Sequence, residues 1–271
     1  GHGNSSRLLK SKKIIFTVNN MAVPPNQLLD KYLDSLVDKY VSYFVTASKA
    51  AAMELVRVRG IGKGKTKSIP NAVLFDEITF SDSVSLRNEF NIDKEVFIMG
   101  SAGLLIERKG YDVLIEAVNL LPKDKNWCLF IFGEGDQRGS LEKLIRDFHL
   151  QRHVFLPGFR KDIHSYVNSF NLFILSSTGT EDMPNAINEA MLLGKPIIGT
   201  KTSGIPEQID SGSNGYLVNQ SDPEDLSLKI NKLLCLDAKN LLEMGDKSKE
   251  KYMTSFSYGL AMDGYLALYD I

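Results

Sequence analysis

Residues 171–200 read NLFILSSTGTEDMPNAINEAMLLGKPIIGT and contain a full strand–helix–strand pattern. NLFILSS (171–177) is an apolar run of strand length, and AINEAMLLG (186–194) has apolar residues at helical spacing until Gly194 ends it. KPIIGT (195–200) is a second short apolar run. A helix between two strands lets them pair in parallel, because a parallel crossover has to span the length of the sheet. The stretch therefore predicts a parallel sheet covered by helices.

The same alternation continues on both sides of this stretch. Apolar runs end in glycine loops and lead into segments with helical periodicity. The predicted strands outside the opening stretch are VFIMGSAG (96–103), NWCLFIFGEG (126–135), HVFLPGF (153–159) and GYLV (215–218), and the predicted helices include residues 110–121, 141–150 and 222–234. Right-handed crossovers make this a doubly wound sheet, in which ligands bind beyond the carboxyl ends of the strands.

The first ninety residues predict only part of a second α/β domain. They contain a strand at 12–20, a helical stretch around 29–40, a strand entering a helix at 43–51 and a further strand at 66–73. These strands are too few for a doubly wound domain of normal size, so we expect further strands to precede them. Residues 75–92 have little apolar periodicity and predict a linker.

The last residues, 253–271, predict a helix whose apolar face needs a surface to pack against. We therefore divide the chain into three parts. Residues 1–90 are a partial N-terminal domain with its linker, residues 91–252 are the main α/β domain, and residues 253–271 are a C-terminal helix.

The charge balance argues against a chain built to bind nucleic acid. Thirty-two basic and 33 acidic residues give a formal net charge of -1, whereas nucleic-acid binders carry a basic excess. Two cysteines, Cys128 and Cys235, stand at no metal-binding or redox spacing, and we expect both to be reduced thiols in the core. No apolar run reaches transmembrane length.

RGIGKGKT (59–66) is a near match to a phosphate-binding P-loop. That motif requires a glycine five positions before Gly64, where this sequence has Arg59. The stretch also follows a helical segment rather than a strand. We interpret it as a solvated basic loop.

Two glycine loops at strand ends are candidates for phosphate binding. In GSAGLLIERKGYD (100–112), Gly103 opens the loop and Lys109 precedes a helix that starts near Gly110. A lysine beside free backbone amides suits a diphosphate, and the alternative is a solvent-facing loop lysine. In FGEGDQRGSLEKL (132–144), Gly133 and Gly135 repeat the pattern, which tight turns also use.

The loop TGTED after the strand 171–177 leads to another predicted anion site. Pro184 suits the first helical position, and the amides of residues 185–187 then point free at the helix mouth. Glu189, one turn further on, is placed to accept hydrogen bonds from sugar hydroxyls, and Glu181 in the loop is placed to reach a second ring. The alternative is a capped surface helix with two solvated glutamates.

TGTEDMPNAINEAMLLGKPIIGT resembles the E-x7-E signature of family 4 of the retaining GT-B glycosyltransferases. Other segments resemble that family in the same order: FVTASKAAAMEL, IPNAV, LLIERKGYDVLIEA, IFGEGDQRGSLEKL, FLPGF, SGIPEQI and NGYLV. The resemblance covers about residues 40 to 271. Many ordered motifs over such a length are far more specific than any one of them.

The resemblance implies a fold and an activity. The fold would be GT-B: a doubly wound C-terminal domain (91–252) that holds a nucleotide-activated sugar, and a partial, Rossmann-like N-terminal domain (1–90) on the acceptor side. The helix at 253–271 would return to the N-terminal domain. The activity would be transfer of a hexose, with retained configuration, from a nucleoside-diphosphate sugar to a saccharide or lipid-linked acceptor in cell-surface polysaccharide or glycan synthesis.

The resemblance also implies roles for particular residues. Lys109 would bind the diphosphate, Glu181 would meet the donor sugar, and Glu189 would hold the ribose. Lys109 and Glu181 would be the catalytic pair. The FLPGF loop, with Phe159, Leu156 and Arg160, would contact the base. The full set of implied donor-binding residues is Gly103, Lys109, Gly133, Gly135, Phe159, Met183, Pro184, Asn185, Ala186 and Glu189.

No metal or other cofactor is expected, because basic residues and the helix mouth would take the place of a metal and the sequence has no convincing Asp-x-Asp motif. The expected partners are the nucleotide sugar and its acceptor, without nucleic acid. Basic clusters at Lys10–Lys13 and Lys63–Lys67 suit either a solvated surface or an anionic membrane. We therefore expect a cytoplasmic protein, with peripheral association at the inner face of the membrane as an option.

Three positions depart from the family pattern. Leu104 stands where the family usually has a second cation, which Arg108 or Lys201 would then have to supply. Asp182 replaces a glycine, and Asn19 stands at a strand end that often carries histidine. Two alternatives stay open. One is a non-catalytic fragment that binds nucleotide sugars, either because the chain is truncated or because of Leu104 and Asp182, and the other is a nucleotide-sugar epimerase of the same fold.

Overall fold

The computed structural model describes residues 13–18, 39–73, 86–122 and 125–269. Asn19, most of the helix predicted around 29–40, most of the predicted linker and Lys10–Lys12 lie outside the described residues. The chain divides into two compact units: residues up to Pro70 together with those from Gly259 onward, and Asn71–Tyr258. The domain divisions drawn from the sequence, after residue 90 and before residue 253, differ from these unit limits and stay predictions about independent domains.

The first unit contains a small parallel sheet. Its three strands, in the order β1-β2-β3, are β1 Ile15–Val18, β2 Tyr43–Thr46 and β3 Thr66–Ser68. Helix α1, Lys49–Arg59, joins β2 to β3; it starts where the Ser48 side chain accepts a hydrogen bond from the Ala51 amide at 3.0 Å. A strand, β3, therefore follows the sequence RGIGKGKT where a P-loop would require a helix, which supports its interpretation as a loop.

The last helix, Tyr258–Tyr269, belongs almost entirely to this first unit. Its Gly264 lies so close to Ile69 that a Cβ there would meet the Ile69 side chain at 3.3 Å. The helix buries Ala261 and Leu268, while Leu260 and Met262 stay partly exposed.

The second unit is the doubly wound domain that the sequence predicts. Its parallel six-stranded sheet has the order β6-β5-β4-β7-β8-β9. The strands are β4 Phe97–Ala102, β5 Trp127–Phe132, β6 Val154–Gly158, β7 Leu172–Leu175, β8 Ile197–Thr200 and β9 Gly215–Val218. The helices, numbered on from α1, are α2 Leu86–Glu89, α3 Tyr111–Asn119, α4 Arg138–Asp147, α5 Ile163–Asn168, α6 Asn185–Leu192, α7 Ile205–Gln208, α8 Pro223–Leu234 and α9 Ala238–Ser255, and the last helix of the chain, Tyr258–Tyr269, is α10.

The sheet is buried on both faces, which is why its strands are apolar throughout rather than alternating. All six residues of β5 are buried, and so are all four of β7. Helix α3 packs against α8, and α6 packs against α9. Cys128 lies in β5 and is buried, but Cys235 is exposed at the end of α8, so the expectation of a core thiol was wrong for Cys235.

The strand order places a ligand crevice between β4 and β7. From β4 the chain moves outward through β5 and β6, and it then returns to the other side of β4 to form β7. In such sheets the loops that leave two neighbouring strands in opposite directions open a crevice at the carboxyl edge. Lys109 lies in the loop after β4 and Glu181 in the loop after β7, so the fold brings both loops to one place.

Two glycines allow the loops after β4 and β5 to lie backbone against backbone. A Cβ on Gly133, whose φ is 139°, would lie 1.8 Å from the carbonyl oxygen of Gly103, and one on Gly135 would lie 2.2 Å from that of Leu105. The Leu105 amide donates to the Glu134 carbonyl at 2.9 Å in the same contact. This close approach accounts for both glycines without any ligand.

No helix among the described residues has the length and apolar character needed to cross a bilayer.

Substitution of Gly133 by alanine is expected to destabilise the second unit by more than about 2 kcal/mol, because the new Cβ overlaps a carbonyl at an unfavourable φ. Gly139→Ala is the matched control: this glycine lies in helix α4 with no atom within 4 Å of its would-be Cβ, so alanine should stabilise by about 0.5–1 kcal/mol. Urea unfolding midpoints of the two variants measure the difference. Equal midpoints would contradict the packing described for Gly133.

Candidate functional site

A single carboxylate oxygen, Oε1 of Glu181, is the centre of the candidate site. It accepts hydrogen bonds from Lys109 Nζ at 2.6 Å, from Arg108 Nη1 at 2.7 Å and from Ser177 Oγ at 3.0 Å. Glu181 is only 8% exposed, so its charge depends on these donors. The structure therefore joins Lys109 and Glu181, the two residues that the sequence analysis names as catalytic.

Backbone hydrogen bonds join the loop after β4 to the loop after β7. The Arg108 carbonyl accepts hydrogen bonds from the amides of Thr178 at 2.9 Å and Gly179 at 3.0 Å. Ser176 Oγ donates to the Lys109 carbonyl at 3.1 Å. Lys109 ends a 3₁₀ turn, and Gly110 follows it with φ 60° at a point where a Cβ would lie 2.3 Å from the Ser176 carbonyl. Because the backbone is fixed on both sides, the charged side chains lose little conformational freedom when they pair.

Arg108 brings a second cation to the Glu181 carboxylate beside Lys109. The Leu104 side chain is 60% exposed and uncharged. Of the two substitutes expected from the sequence, Arg108 binds Glu181, whereas Lys201 Nζ donates to Asn219 Oδ1 at 3.0 Å instead. The Arg108 side chain is half exposed. An anion in solvent can therefore reach its guanidinium, while Asp182 adds a negative charge to the loop that carries Glu181.

Helix α6 begins one residue later than predicted. Pro184 is its N-cap, with ψ 123°, and not its first helical residue. In this conformation the Pro184 carbonyl accepts hydrogen bonds from the amides of Ile187 at 3.1 Å and Asn188 at 3.4 Å. The Ile187 amide is therefore not free, contrary to the prediction, while the amides of Asn185 and Ala186 precede the first helical bond. Met183, just before this mouth, is buried.

Glu189 meets a partner that the sequence analysis missed. Its Oε2 lies 3.4 Å from Nε2 of His164 on α5, and its side chain is 29% exposed. Burial raises the pKa of the Glu189 carboxyl, and the nearby His164 acts in the opposite direction. Glu181 and Glu189 thus contact different partners and do not form an acid–base pair.

A network of side-chain amides holds the backbone at the helix mouth. Asn71 Nδ2 donates to the Met183 carbonyl at 3.1 Å, and Asn188 Nδ2 donates to the Asn71 carbonyl at 2.9 Å. Gln208 Nε2 in turn donates to Asn188 Oδ1 at 2.7 Å. Asn188 and Gln208 are fully buried. In the sequence, Asn188 stands on the apolar side of a predicted helix, which indicates a buried polar residue. The sequence does not indicate which residues it bonds to.

Gly103, Phe159 and Arg160 are three further residues that the sequence predicts for the site. Gly103 leaves room for the Tyr111 hydroxyl, which a Cβ would meet at 2.9 Å, and burial raises the pKa of that phenol to about 12. Phe159 directly follows β6 and is 72% exposed. Arg160 donates a hydrogen bond to the Pro157 carbonyl of its own loop at 2.7 Å and forms an ion pair with Glu89 at 3.2 Å.

The described residues contain no group of three or more His, Cys, Asp or Glu side chains placed to hold a metal ion. Asp182 is half-buried beside Glu181 in the loop after β7.

The buried ion cluster predicts a large stability effect for Glu181→Ala. Removing the carboxylate leaves Lys109 buried without its counter-ion and is expected to cost about 3 kcal/mol of unfolding free energy. The control is Glu142→Ala, which removes an exposed partner 3.0 Å from Arg138 and should cost less than about 1 kcal/mol. Denaturant titration followed by circular dichroism compares them, and similar losses in both variants would refute the prediction.

Comparisons with known proteins agree on one family. The model of the family described as Glycosyl transferases group 1 matches residues 82–251. The lipopolysaccharide core biosynthesis glycosyltransferase LpsE of Rhizobium meliloti (strain 1021) is 30% identical over 171 residues, which are 63% of this chain and 49% of that protein. The poly(ribitol-phosphate) alpha-N-acetylglucosaminyltransferase of Staphylococcus aureus (strain COL) is 28% identical over 197 residues, 71% of this chain and 39% of that protein.

A solved structure shows the same fold. The crystal structure of Anabaena Alr3699/HepE in complex with UDP and glucose aligns with a TM-score of 0.83 at 22% identity, over 96% of this chain and 72% of that chain. The fold class predicted from the sequence is confirmed. This chain spans about half, or less, of the length of the two curated relatives.

Proposed function

The chain belongs to the family of group 1 glycosyl transferases, and we propose that it carries the donor site of a retaining GT-B hexosyltransferase. The substrate would be a nucleoside-diphosphate hexose, with UDP as the favoured nucleotide, and the acceptor a saccharide or a lipid-linked saccharide. The observation that carries this proposal is the cluster of Arg108, Lys109 and Glu181 at the sheet's switch point. It combines a fixed positive charge with a buried carboxylate, which suits a diphosphate joined to a sugar.

The reaction demands stabilisation of the leaving diphosphate as the glycosidic bond breaks. Lys109 and Arg108 would face that charge, and the amides of Asn185 and Ala186 at the mouth of α6 would add two more donors. Because Glu181 already holds both cations in place, little reorganisation is needed during the reaction.

Glu181 itself would bind the hexose. Its Oε1 is occupied by three donors, and its Oε2 receives none of those three bonds. A carboxylate oxygen without those donors keeps its capacity to accept from sugar hydroxyls. Glu189, at the second position of the motif, would accept from the ribose hydroxyls, and Phe159 would pack against the base.

The relatives' names support a role in cell-surface glycan synthesis. They include a lipopolysaccharide core glycosyltransferase and a transferase that acts on poly(ribitol-phosphate), and the solved structure contains UDP and glucose. We propose that this chain works in the cytoplasm, where nucleotide sugars are made, with peripheral contact to the inner face of the membrane through basic residues such as Lys63 and Lys67. We also propose that it needs no metal, because Arg108 and Lys109 supply the positive charge.

A transfer assay with the full chain tests the activity. UDP-glucose and related donors are incubated with an array of saccharide and lipid-linked acceptors, and proton NMR follows the anomeric signals. The proposal predicts an acceptor-dependent product with the same anomeric configuration as the donor. Binding of UDP without any product would favour a non-catalytic module, and a changed sugar in the absence of acceptor would indicate an epimerase.

Calorimetry with UDP and uridine tests the assigned residues. Lys109→Ala should weaken UDP binding about tenfold or more and leave uridine binding unchanged, because it removes a charged contact to phosphate. Glu189→Ala should weaken both ligands. Lys201→Ala, which removes a cation bonded to Asn219, is the control and should bind UDP as the wild type does.

The same titrations in EDTA and in magnesium chloride should agree within about twofold if the cations replace a metal. Unchanged UDP affinity in both Lys109→Ala and Glu189→Ala would refute the site assignment.

A further inference from the structure

We propose that His164 is a positioning residue that holds Glu189 for the ribose of the bound nucleotide; this rests on the proposed function of the site. His164 lies on α5, before β7, and Glu189 lies on α6, after β7. Their side chains meet with Nε2 and Oε2 3.4 Å apart, at 15% and 29% exposure. Helix α5 packs against α6, so the sheet and both helices fix this meeting.

The surroundings of His164 determine which nitrogen carries its proton. Its Nδ1 is buried and has no hydrogen-bond partner among the described residues. A proton on Nδ1 would therefore be a buried donor without an acceptor, which is costly. A hydrogen on Nε2 faces the Glu189 carboxylate, whereas the other tautomer would set a ring lone pair against a carboxylate oxygen; the geometry favours the Nε2 hydrogen.

This contact has two consequences for Glu189. It restrains a long side chain that would otherwise lose several rotamers when a nucleotide binds. It also favours the ionised carboxylate, against the burial that raises the pKa of Glu189. With Oε2 directed at His164, Oε1 is the oxygen left for the ribose hydroxyls. The selectivity for a ribose over a deoxyribose should thus depend on His164.

The experiment measures that selectivity directly. Calorimetry gives the dissociation constants of UDP and of 2′,3′-dideoxy-UDP. The ratio is the constant for dideoxy-UDP divided by the constant for UDP, and it measures the contribution of the ribose hydroxyls to binding. His164→Ala should reduce the ratio about three- to tenfold, the range expected for loss of one polar contact to a carboxylate. His164→Gln, whose amide nitrogen reaches the place of Nε2, should retain most of the ratio, whereas the shorter His164→Asn should not.

Two controls separate positioning from a general effect on the fold. A structural role would weaken both nucleotides equally, so the affinity for dideoxy-UDP should stay at the wild-type value in every variant. In Glu189→Ala the two dissociation constants should become about equal, and adding His164→Ala to that variant should not change their ratio further. If His164→Ala fails to fold, the comparison of His164→Gln with His164→Asn decides.

The outcomes distinguish this inference from the proposed function. A wild-type protein that prefers UDP, with a ratio unchanged in His164→Ala and His164→Asn, would overturn the inference and leave the function standing. A further fall in the ratio when His164→Ala is added to Glu189→Ala would also overturn it. A wild-type protein that binds UDP and dideoxy-UDP equally would overturn both the ribose role of Glu189 and the inference.

Discussion

The shared hydrogen bonding of Arg108, Lys109 and Ser177 to one oxygen of Glu181 is the constraint on which the site depends. A buried carboxylate is stable only beside charged or hydrogen-bonding partners, and a buried lysine needs the same. The loops after β4 and β7 therefore have to meet, and the strand order of a doubly wound sheet brings them together. Backbone bonds from Thr178 and Gly179 to the Arg108 carbonyl keep them in contact.

Much of this arrangement is predictable from the sequence, because alternating apolar runs and helical periods specify a parallel sheet, and glycines mark its carboxyl edge. Lys109 and Glu181 both follow apolar strands, so their proximity follows from topology alone. The start of α6 was misplaced by one residue, because a proline at the first helical position and a proline N-cap look alike in sequence. The backbone angle of Pro184 decides between them and also determines that the Ile187 amide is bonded.

The parts that could not be predicted are contacts between side chains far apart in the chain. His164 and Glu189 belong to successive helices whose rotation about their own axes no sequence period specifies. The amide chain from Asn71 through Asn188 to Gln208 joins three separate segments, and its residues carry no spacing that links them. Gly133 and Gly135 correctly marked the end of a strand. The reason for their small size, a close contact with the backbone of the loop after β4, is visible only in the fold.

A crystal structure of the chain with a bound UDP-hexose tests the site most directly. We predict that the diphosphate lies against Lys109, Arg108 and the amides of Asn185 and Ala186, with the hexose at Oε2 of Glu181 and the ribose at Glu189. A nucleotide bound at the other edge of the sheet, or one whose phosphates contact neither Lys109 nor the mouth of α6, would contradict it.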